Sequence, residues 1–547
     1  MFTKNQNLLS ASQLGFVAGN RTSDAHIIIH NLVKKICHRD NSKIYSCFVD
    51  FKKAFDSIPR DLLLKKLIKF GITGKFFNII RHNYTSDEAC IKLGNSRSTF
   101  FDLSLGVRQG CVLSPLLFNL FLSDLAKKFE AMEGKLEIKT TSINSLFWAN
   151  DLVLFTKSKE DLDKLLKTLE EYCNENELSI NTKKTKCMIF NKTGRLIRRP
   201  FYLHGVKLEI VRCYKYLGFS ITPSGEINTG LKGRRDRAFK AFMKLKNDLG
   251  ISFNQDILTT LKLIDTLIKP ILLYASDFWG CLKLPKTNPI ENLHMLMCKQ
   301  LLGVQKQTTN IGVLLELGRV PMNLFAMKLA IKNWERIRKG QGNKILIDSY
   351  NDSNLSWDKN IKYTIESNDM LNSYVRDSTN TLPFVYKKLF QKLDNCFHQN
   401  CFESIKTDSS KLRTYALFKT EIGFEGYLTE MKIVTLRSHV TKFRLSNHRL
   451  MIETGRHNKT PREQRFCPFC PQKIESEYHF LFECPIYTHI RTRHLEPLIY
   501  TIPGFQYFPT HFKMHTLLSN MEYGTCKFIS DSMDLRTFLM SKPKTHD

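Results

Sequence analysis

Three short segments carry residue types that could hold metal ions around a nucleotide. In Phe48-Val49-Asp50-Phe51-Lys52-Lys53-Ala54-Phe55-Asp56 a β-favouring run ends on an acid, and an aromatic follows a few residues on. In Gly106-Val107-Arg108-Gln109-Gly110-Cys111-Val112-Leu113-Ser114-Pro115-Leu116-Leu117-Phe118-Asn119 glycines, which allow close backbone approach to a ligand, precede a Ser-Pro helix start. Phe147-Trp148-Ala149-Asn150-Asp151-Leu152-Val153-Leu154-Phe155 sets a polar pair on a tight turn between apolar runs. Nucleotidyl transfer needs carboxylates that hold two Mg²⁺ ions about 4 Å apart, clamping the attacking and leaving oxygens. Each segment alone also has a plainer meaning. Asp50 could terminate a strand or cap a helix, the glycines could form an ordinary loop, and Asn-Asp is common hairpin-turn chemistry.

A fourth grouping, Cys467-x2-Cys470-x8-His479-x4-Cys484, offers a tetrahedral Zn²⁺ its preferred ligands within one short stretch. Its alternative is a chance cluster of core cysteines. Arg456, Lys459, Arg462 and Arg465 precede it and Arg491 and Arg493 follow, a placement that suits phosphate contact. Cys396, His398 and Cys401 form a looser cluster that reads as incidental.

The elements that must position these residues are partly legible. The runs Tyr45 to Phe51 and Leu152 to Phe155 predict strands, and Arg60 to Phe70 and Asp161 to Cys173 predict helices from apolar residues at helical spacing. Pro223-Ser224-Gly225 punctuates the chain, and beyond it the pattern is helical to about Lys339. Lys232 to Lys246 is a strongly basic helix, and Gly340-Gln341-Gly342-Asn343 predicts a break. Residues 343–430 are polar with short helical patterns and no chemical motif.

The chain has 547 residues, too many for one core, so several domains are expected. Hydrophobic residues at 42% argue against wholesale disorder. Lys plus Arg at 82 against Asp plus Glu at 52 gives a net charge of +30, which attracts polyanions, nucleic acid first among them. No apolar run is long enough to span a bilayer, so no membrane partner is expected. The start is polar, and the 15 cysteines read as reduced thiols of the cytoplasm and nucleus.

In this order and at these separations the three segments resemble the palm of reverse transcriptases, and further segments resemble the LINE-class (non-LTR) retrotransposon branch. Gln13-Leu14-Gly15-Phe16 with Thr22 and Asp24 resembles its fingers motif, and Leu178-Ser179-Ile180-Asn181 with Lys184-Thr185-Lys186 its next palm motif. Tyr216-Leu217-Gly218 resembles the primer-gripping turn. Glu316-Leu317-Gly318-Arg319-Val320-Pro321 and the run from Ile452 to Cys484, with its CCHC spacing, resemble the region that follows the polymerase.

The resemblance implies an α+β right-hand fold: partial fingers and palm over 1–222, a helical thumb over 223–340, a helical connector over 341–450 and a zinc-binding region over 451–547. It implies RNA-templated DNA synthesis, with an RNA template, a DNA primer and dNTP as partners and Mg²⁺ and Zn²⁺ as cofactors. Asp50 and Asp151 would ligate Mg²⁺. Phe55 would be the steric gate against a 2′-hydroxyl. Arg21, Gln109, Gly110 and Lys184 would contact the nucleotide. Arg234, Arg235, Arg237, Lys240 and Lys244, with Lys232, would face a duplex backbone. Asp56 reads as structural.

Two departures stand out. Where the family has aromatic-Ala-Asp-Asp, this chain has Trp148-Ala149-Asn150-Asp151, so an amide replaces a metal-binding acid. The chain also begins at the fingers motif, without an upstream fingers segment or endonuclease. Impaired catalysis is therefore expected. The alternative is a non-catalytic nucleic-acid-binding remnant of a transposon protein.

Overall fold

The computed structural model describes residues 8–85, 87–352, 356–366, 382–407 and 411–541. The chain divides into two compact units, each discontinuous in sequence. One comprises 1–233, 275–285 and 326–367, and the other 234–274, 286–325 and 368–547.

The first unit is mixed α and β. Its buried helix α1 (Thr22–Leu32) precedes strand β1 (Ile44–Asp50) and helix α2 (Arg60–Lys69). Helix α3 (Ser114–Phe121) follows, then strands β2 (Ser145–Trp148) and β3 (Asp151–Thr156), helix α4 (Lys159–Glu175) and strand β4 (Lys186–Phe190). The short strands β5 (Glu209–Ile210), β6 (Tyr214–Tyr216) and β7 (Phe219–Ile221) come next, before helix α5 (Asn228–Leu249). One sheet has the order β5-β4-β1-β3-β2. β1 is central and antiparallel to both β4 and β3. Its consecutive Cys47, Phe48 and Val49 are all buried, because this sheet is covered on both faces: Cys47 and Val49 lie in the core, and Phe48 stacks on Tyr214 at 4.3 Å.

The expected helix at Asp161 runs from Lys159 to Glu175, and Ser158 caps it by accepting from the Asp161 backbone N–H at 3.1 Å. Its Leu162, Leu165, Leu166, Leu169 and Tyr172 are buried in one core with Cys47, Val49 and Leu154 of the sheet. Each such leucine contributes roughly 1.5–3 kcal/mol of burial. The predicted strands and the helix from Arg60 also form, with ends shifted by a residue or two.

The second unit is mostly helical. Glu316, fully buried, accepts hydrogen bonds from Tyr415 at 2.7 Å and Tyr427 at 2.5 Å and pairs with Arg444 at 2.7 Å. Arg444 also meets Glu425 at 2.6 Å. A buried ion pair is tolerated only with such full satisfaction of its oxygens and protons. Arg319 chelates Asp265 at 2.6 and 3.0 Å. The Glu316-to-Pro321 segment is therefore an anchor within this unit. Helix α6 (Val434–Arg444), the hairpin of β8 (Phe466–Cys467) and β9 (Cys470–Ile474), and helix α7 (Tyr523–Ser541) complete the parts used below. No described helix is long and apolar enough to cross a membrane.

Candidate functional site

Asp50 ends β1, and the register places it directly opposite Asp151, the first residue of β3. Residues so paired have Cβ atoms roughly 4.5–5.5 Å apart. Trp148 pairs with Asp151, so Ala149 and Asn150 alone make the β2–β3 turn, Ala149 with φ of +55°. Asp50, Asn150, Phe55, Gln109 and Lys184 line one open cleft of about 500 Å³, together with Lys52, Lys53, Asp56 and Asn181. Burial, and next the charge of Asp50, push the Asp151 carboxyl up to about 6, against the pull of Lys184. The Lys184 ammonium lies 3.8 Å from the Asp50 carboxylate and is largely exposed.

Local chemistry explains each placement. The Asp50 backbone N–H donates to Thr185 Oγ1 at 3.2 Å, and its carbonyl accepts from Asn181 N–H at 2.8 Å, which fixes the strand end beside the Lys184 turn. Gly15 packs against the β2–β3 turn so closely that a Cβ there would lie 2.4 Å from the Ala149 nitrogen. Leu14 N–H bonds the Phe147 carbonyl at 2.8 Å, and the Asn119 side chain bonds the Gly15 carbonyl at 2.7 Å. The Gln13-to-Phe16 motif is thus a brace for the turn. Phe55 stacks on Phe118 with ring centroids 4.7 Å apart, which holds its ring at the cleft wall.

Gln109 donates to Asp56 Oδ1 at 2.8 Å, and both residues line the cleft. The Gln109 loop is held by a clamp that sequence reasoning missed. Arg60, buried at the start of α2, donates to the carbonyls of Gly106 and Tyr84 at 3.0 and 2.8 Å and to that of Leu103, and it pairs with Asp87 at 2.7 Å. Asp87 also meets Arg108 at 2.8 Å. Gly106, with φ of +82°, is required here, since a Cβ would fall 2.8 Å from the Asp56 backbone. Lys52, Lys53 and Asn181 were also unassigned, although the two lysines stand beside Asp50 in the sequence.

Other expected site residues sit elsewhere. Arg21 and Gly110 are not among the cleft-lining residues. The Arg21 guanidinium approaches Asp277 at 3.9 Å. Tyr216, Leu217 and Gly218 form the β6–β7 turn, with positive φ at Leu217 and Gly218. Tyr216 is buried, and its carbonyl accepts from His26 Nε2 at 3.0 Å. On α5, Lys232, Arg237, Lys240 and Lys244 are exposed, and Arg235 pairs with Asp236 at 2.8 Å. Arg234 does not share that exposure: it is buried, its guanidinium 4.0 Å from the Tyr274 ring centroid.

Cys467, Cys470, His479 and Cys484 converge, with their ligand atoms all within 4.8 Å of one another. Cys484 sulfur lies 3.9 Å from that of Cys467 and 3.7 Å from that of Cys470. Thiolates about 2.3 Å from one tetrahedral Zn²⁺ stand about 3.8 Å apart, so the spacing fits. His479 Nε2 is buried without a hydrogen-bond partner, as a metal-facing nitrogen would be, while Nδ1 meets Glu483 at 3.2 Å. The Cys484 thiol pulls Cys467 below the usual thiol range. No other such grouping exists among the described residues, so Cys396, His398 and Cys401 do not converge. Two flanking arginines are turned to the fold rather than to a phosphate. Arg465 donates to the Thr460 and Ile452 carbonyls, and Arg491 to those of Leu481 and Cys484.

Residues 1–221 match the family described as reverse transcriptase (RNA-dependent DNA polymerase). A probable RNA-directed DNA polymerase from transposon BS of Drosophila melanogaster is 25% identical over 299 residues, covering 53% of this chain and 32% of that protein. The RNA-directed DNA polymerase from mobile element jockey of Drosophila funebris is 25% identical over 307 residues, with 53% and 32% covered. The Pol polyprotein of the R2DM element of Drosophila melanogaster is 26% identical over 225 residues, with 39% and 21% covered. The chain spans about a third or less of the length of these relatives. A telomerase structure from Candida albicans aligns at 10% identity over 72% of this chain and 57% of that one, with a TM-score of 0.35, too low to carry an argument.

Proposed function

The chain belongs, through residues 1–221, to the reverse transcriptases of non-LTR retrotransposons, and on that premise we propose that its cleft is built for RNA-templated addition of deoxynucleotides to a primer, in a form weakened at one metal ligand. The observation that carries this reading is the pairing of Asp151 with Asp50, which itself lines a cleft together with Asn150, Phe55, Gln109 and three lysines. A polyanionic triphosphate suits Lys52, Lys53 and Lys184. Phe55, held by Phe118, would leave no room for a 2′-hydroxyl. Gln109, steadied by Asp56 and by the Arg60 clamp behind its loop, would orient the incoming nucleotide. Gly110 and Arg21 are kept as contacts made once substrate is present.

In the reaction the primer 3′-hydroxyl oxygen bonds to the α-phosphorus of the dNTP, and the bond to pyrophosphate breaks. Mg²⁺ bound by Asp50 and Asp151 would supply charge neutralisation for both oxygens. Asn150 offers a neutral carbonyl oxygen where the family has a third carboxylate, which is the ground for impaired turnover. We assign 1–222 to fingers and palm, 223–340 to thumb, 341–450 to connector and 451–547 to a zinc module, with Cys467, Cys470, His479 and Cys484 as Zn²⁺ ligands. Tyr216 to Gly218 and the exposed cations of α5 are assigned to the primer–template, and the protein to cytoplasm and nucleus.

The test is extension of a DNA primer on an RNA template. Extension that Asp50→Asn abolishes supports the assignment; extension indifferent to Asp50→Asn would overturn it. Asn150 specifically favours a second reading, in which the chain grips nucleic acid without chemistry. That reading predicts template–primer binding with no extension.

A further inference from the structure

The second unit holds another polar cavity, of about 280 Å³, at the low end of small-ligand pockets. Lys442 of α6, the following loop residues Asn447, His448 and Arg449, and Asp534 and Arg536 of α7 are among its lining. Two polar atoms of these residues are buried without a hydrogen-bond partner: Asn447 Oδ1 and His448 Nδ1. Both residues are only 8% exposed. Their other ends are fixed. Asn447 Nδ2 donates to Thr308 Oγ1 at 2.8 Å, and His448 Nε2 lies 3.2 Å from Glu477 Oε1. With Nε2 held at that carboxylate, Nδ1 is the open nitrogen of the His448 ring. Buried polar atoms normally have partners, so two adjacent ones left open call for a polar ligand.

The charges around them point the same way. Arg536 is occupied by Glu475, at 2.8 Å through both Nε and Nη2. Asp534 is largely exposed and lies 3.9 Å from His439. Among the described residues no carboxylate pairs with Lys442 or Arg449. Burial, and next the like charge of Arg449, lower the Lys442 ammonium, consistent with two cations converging without a counter-ion. The cavity therefore offers two uncompensated cations beside two residues with an open polar atom.

We propose that this cavity binds one nucleotide of a single-stranded nucleic acid, with its phosphate on Lys442 and Arg449 and a base amino or sugar hydroxyl group hydrogen-bonded to Asn447 and His448. The proposal rests on the nucleic-acid-binding part of the reading above and not on catalysis. A free mononucleotide carries the same groups, so the two sources must be separated.

The experiment titrates the full chain into a short fluorescein-labelled single-stranded RNA at several salt concentrations, and repeats the titration with AMP as competitor. The Lys442→Gln/Arg449→Gln double variant changes side chains that are not fully buried. Its zinc content and thermal midpoint serve as the folding check. With one phosphate no longer neutralised, the slope of log affinity against log salt should fall by about 0.7. Asn447→Ala should weaken binding severalfold with the slope unchanged. Wild-type binding with affinity and slope unaltered in both variants would overturn the pocket while leaving nucleic-acid binding intact. AMP binding that the double variant abolishes, with strand affinity unaltered, would overturn the strand in favour of a free nucleotide. Failure of the wild type to bind RNA at all would overturn both this proposal and the wider reading.

Discussion

Asp50 and Asp151 face each other across two antiparallel strands, the last residue of one against the first residue of the other. Since neighbouring strands lie about 4.8 Å apart, the sheet itself sets the separation of the two carboxyl groups. No loop has to close to bring them together. Asn150 sits one residue away on the two-residue turn, where its side chain lines the same cleft.

Asn150→Asp should raise primer extension on an RNA template by orders of magnitude. The change keeps the side-chain shape and restores one anionic oxygen, and each decade of rate is only about 1.4 kcal/mol. Single-turnover rates at saturating Mg²⁺ check this. Equal rates in the two proteins would mean that Asp50 and Asp151 suffice.

Metal binding at the cleft should depend on pH through Asp151. Its carboxyl is raised to about 6 by burial and by Asp50, so below that pH a proton competes with the cation. Mn²⁺ affinity, read by electron paramagnetic resonance, should fall about tenfold per pH unit below about 6 and level off above it. The sign for metal-free stability is opposite. A raised carboxyl favours the fold at pH values below the ordinary carboxylate range, and that contribution is lost as pH rises through about 6. Thermal midpoints of metal-free wild type and Asp151→Asn across this range should converge at low pH.

Purified, reduced protein should carry about one zinc ion per chain, and Cys470→Ser should lose it. Cys470 is the ligand to change first, because it is less buried than Cys467, His479 and Cys484. Chelation should lower the unfolding midpoint of the second unit. Zinc-free wild type with an unchanged midpoint would reduce the cluster to ordinary core cysteines.

On α5 the informative set is Lys232, Arg237 and Lys240, all exposed. Changing these three to Gln should flatten the salt dependence of duplex binding by about one unit for each phosphate that is no longer neutralised. Arg234→Gln should behave differently, lowering stability with little change in slope, because Arg234 is buried against Tyr274. Equal effects of the two changes would remove the distinction.

Much of the cleft was readable because its information is local. A β-favouring run ending at Asp50, a two-residue polar turn before Asp151, and four ligands within one short stretch each announce themselves by spacing. The Arg60 clamp did not, since Arg60 reads as the start of a helix. Its acceptors, the carbonyls of Tyr84, Leu103 and Gly106, are backbone groups with no sequence signature. The same reason hid the work of Arg465 and Arg491, which charge alone had turned outward. Arg234 shows the limit of reading cations as a row: helical periodicity puts some of them on the apolar side, and Tyr274 receives this one.

The β2–β3 turn has a consequence for how such a chain can change over time. Turn positions accept Asn and Asp alike, since both side chains satisfy nearby backbone and tolerate unusual φ. An exchange at position 150 therefore leaves the brace from Gly15 and the register of Asp151 in place. Cellular surveillance responds to the unfolded fraction, and this exchange barely alters it. A chain with Asn150 would pass as a well-made protein whatever its rate, so chemical competence and structural integrity can be inherited separately at such a turn.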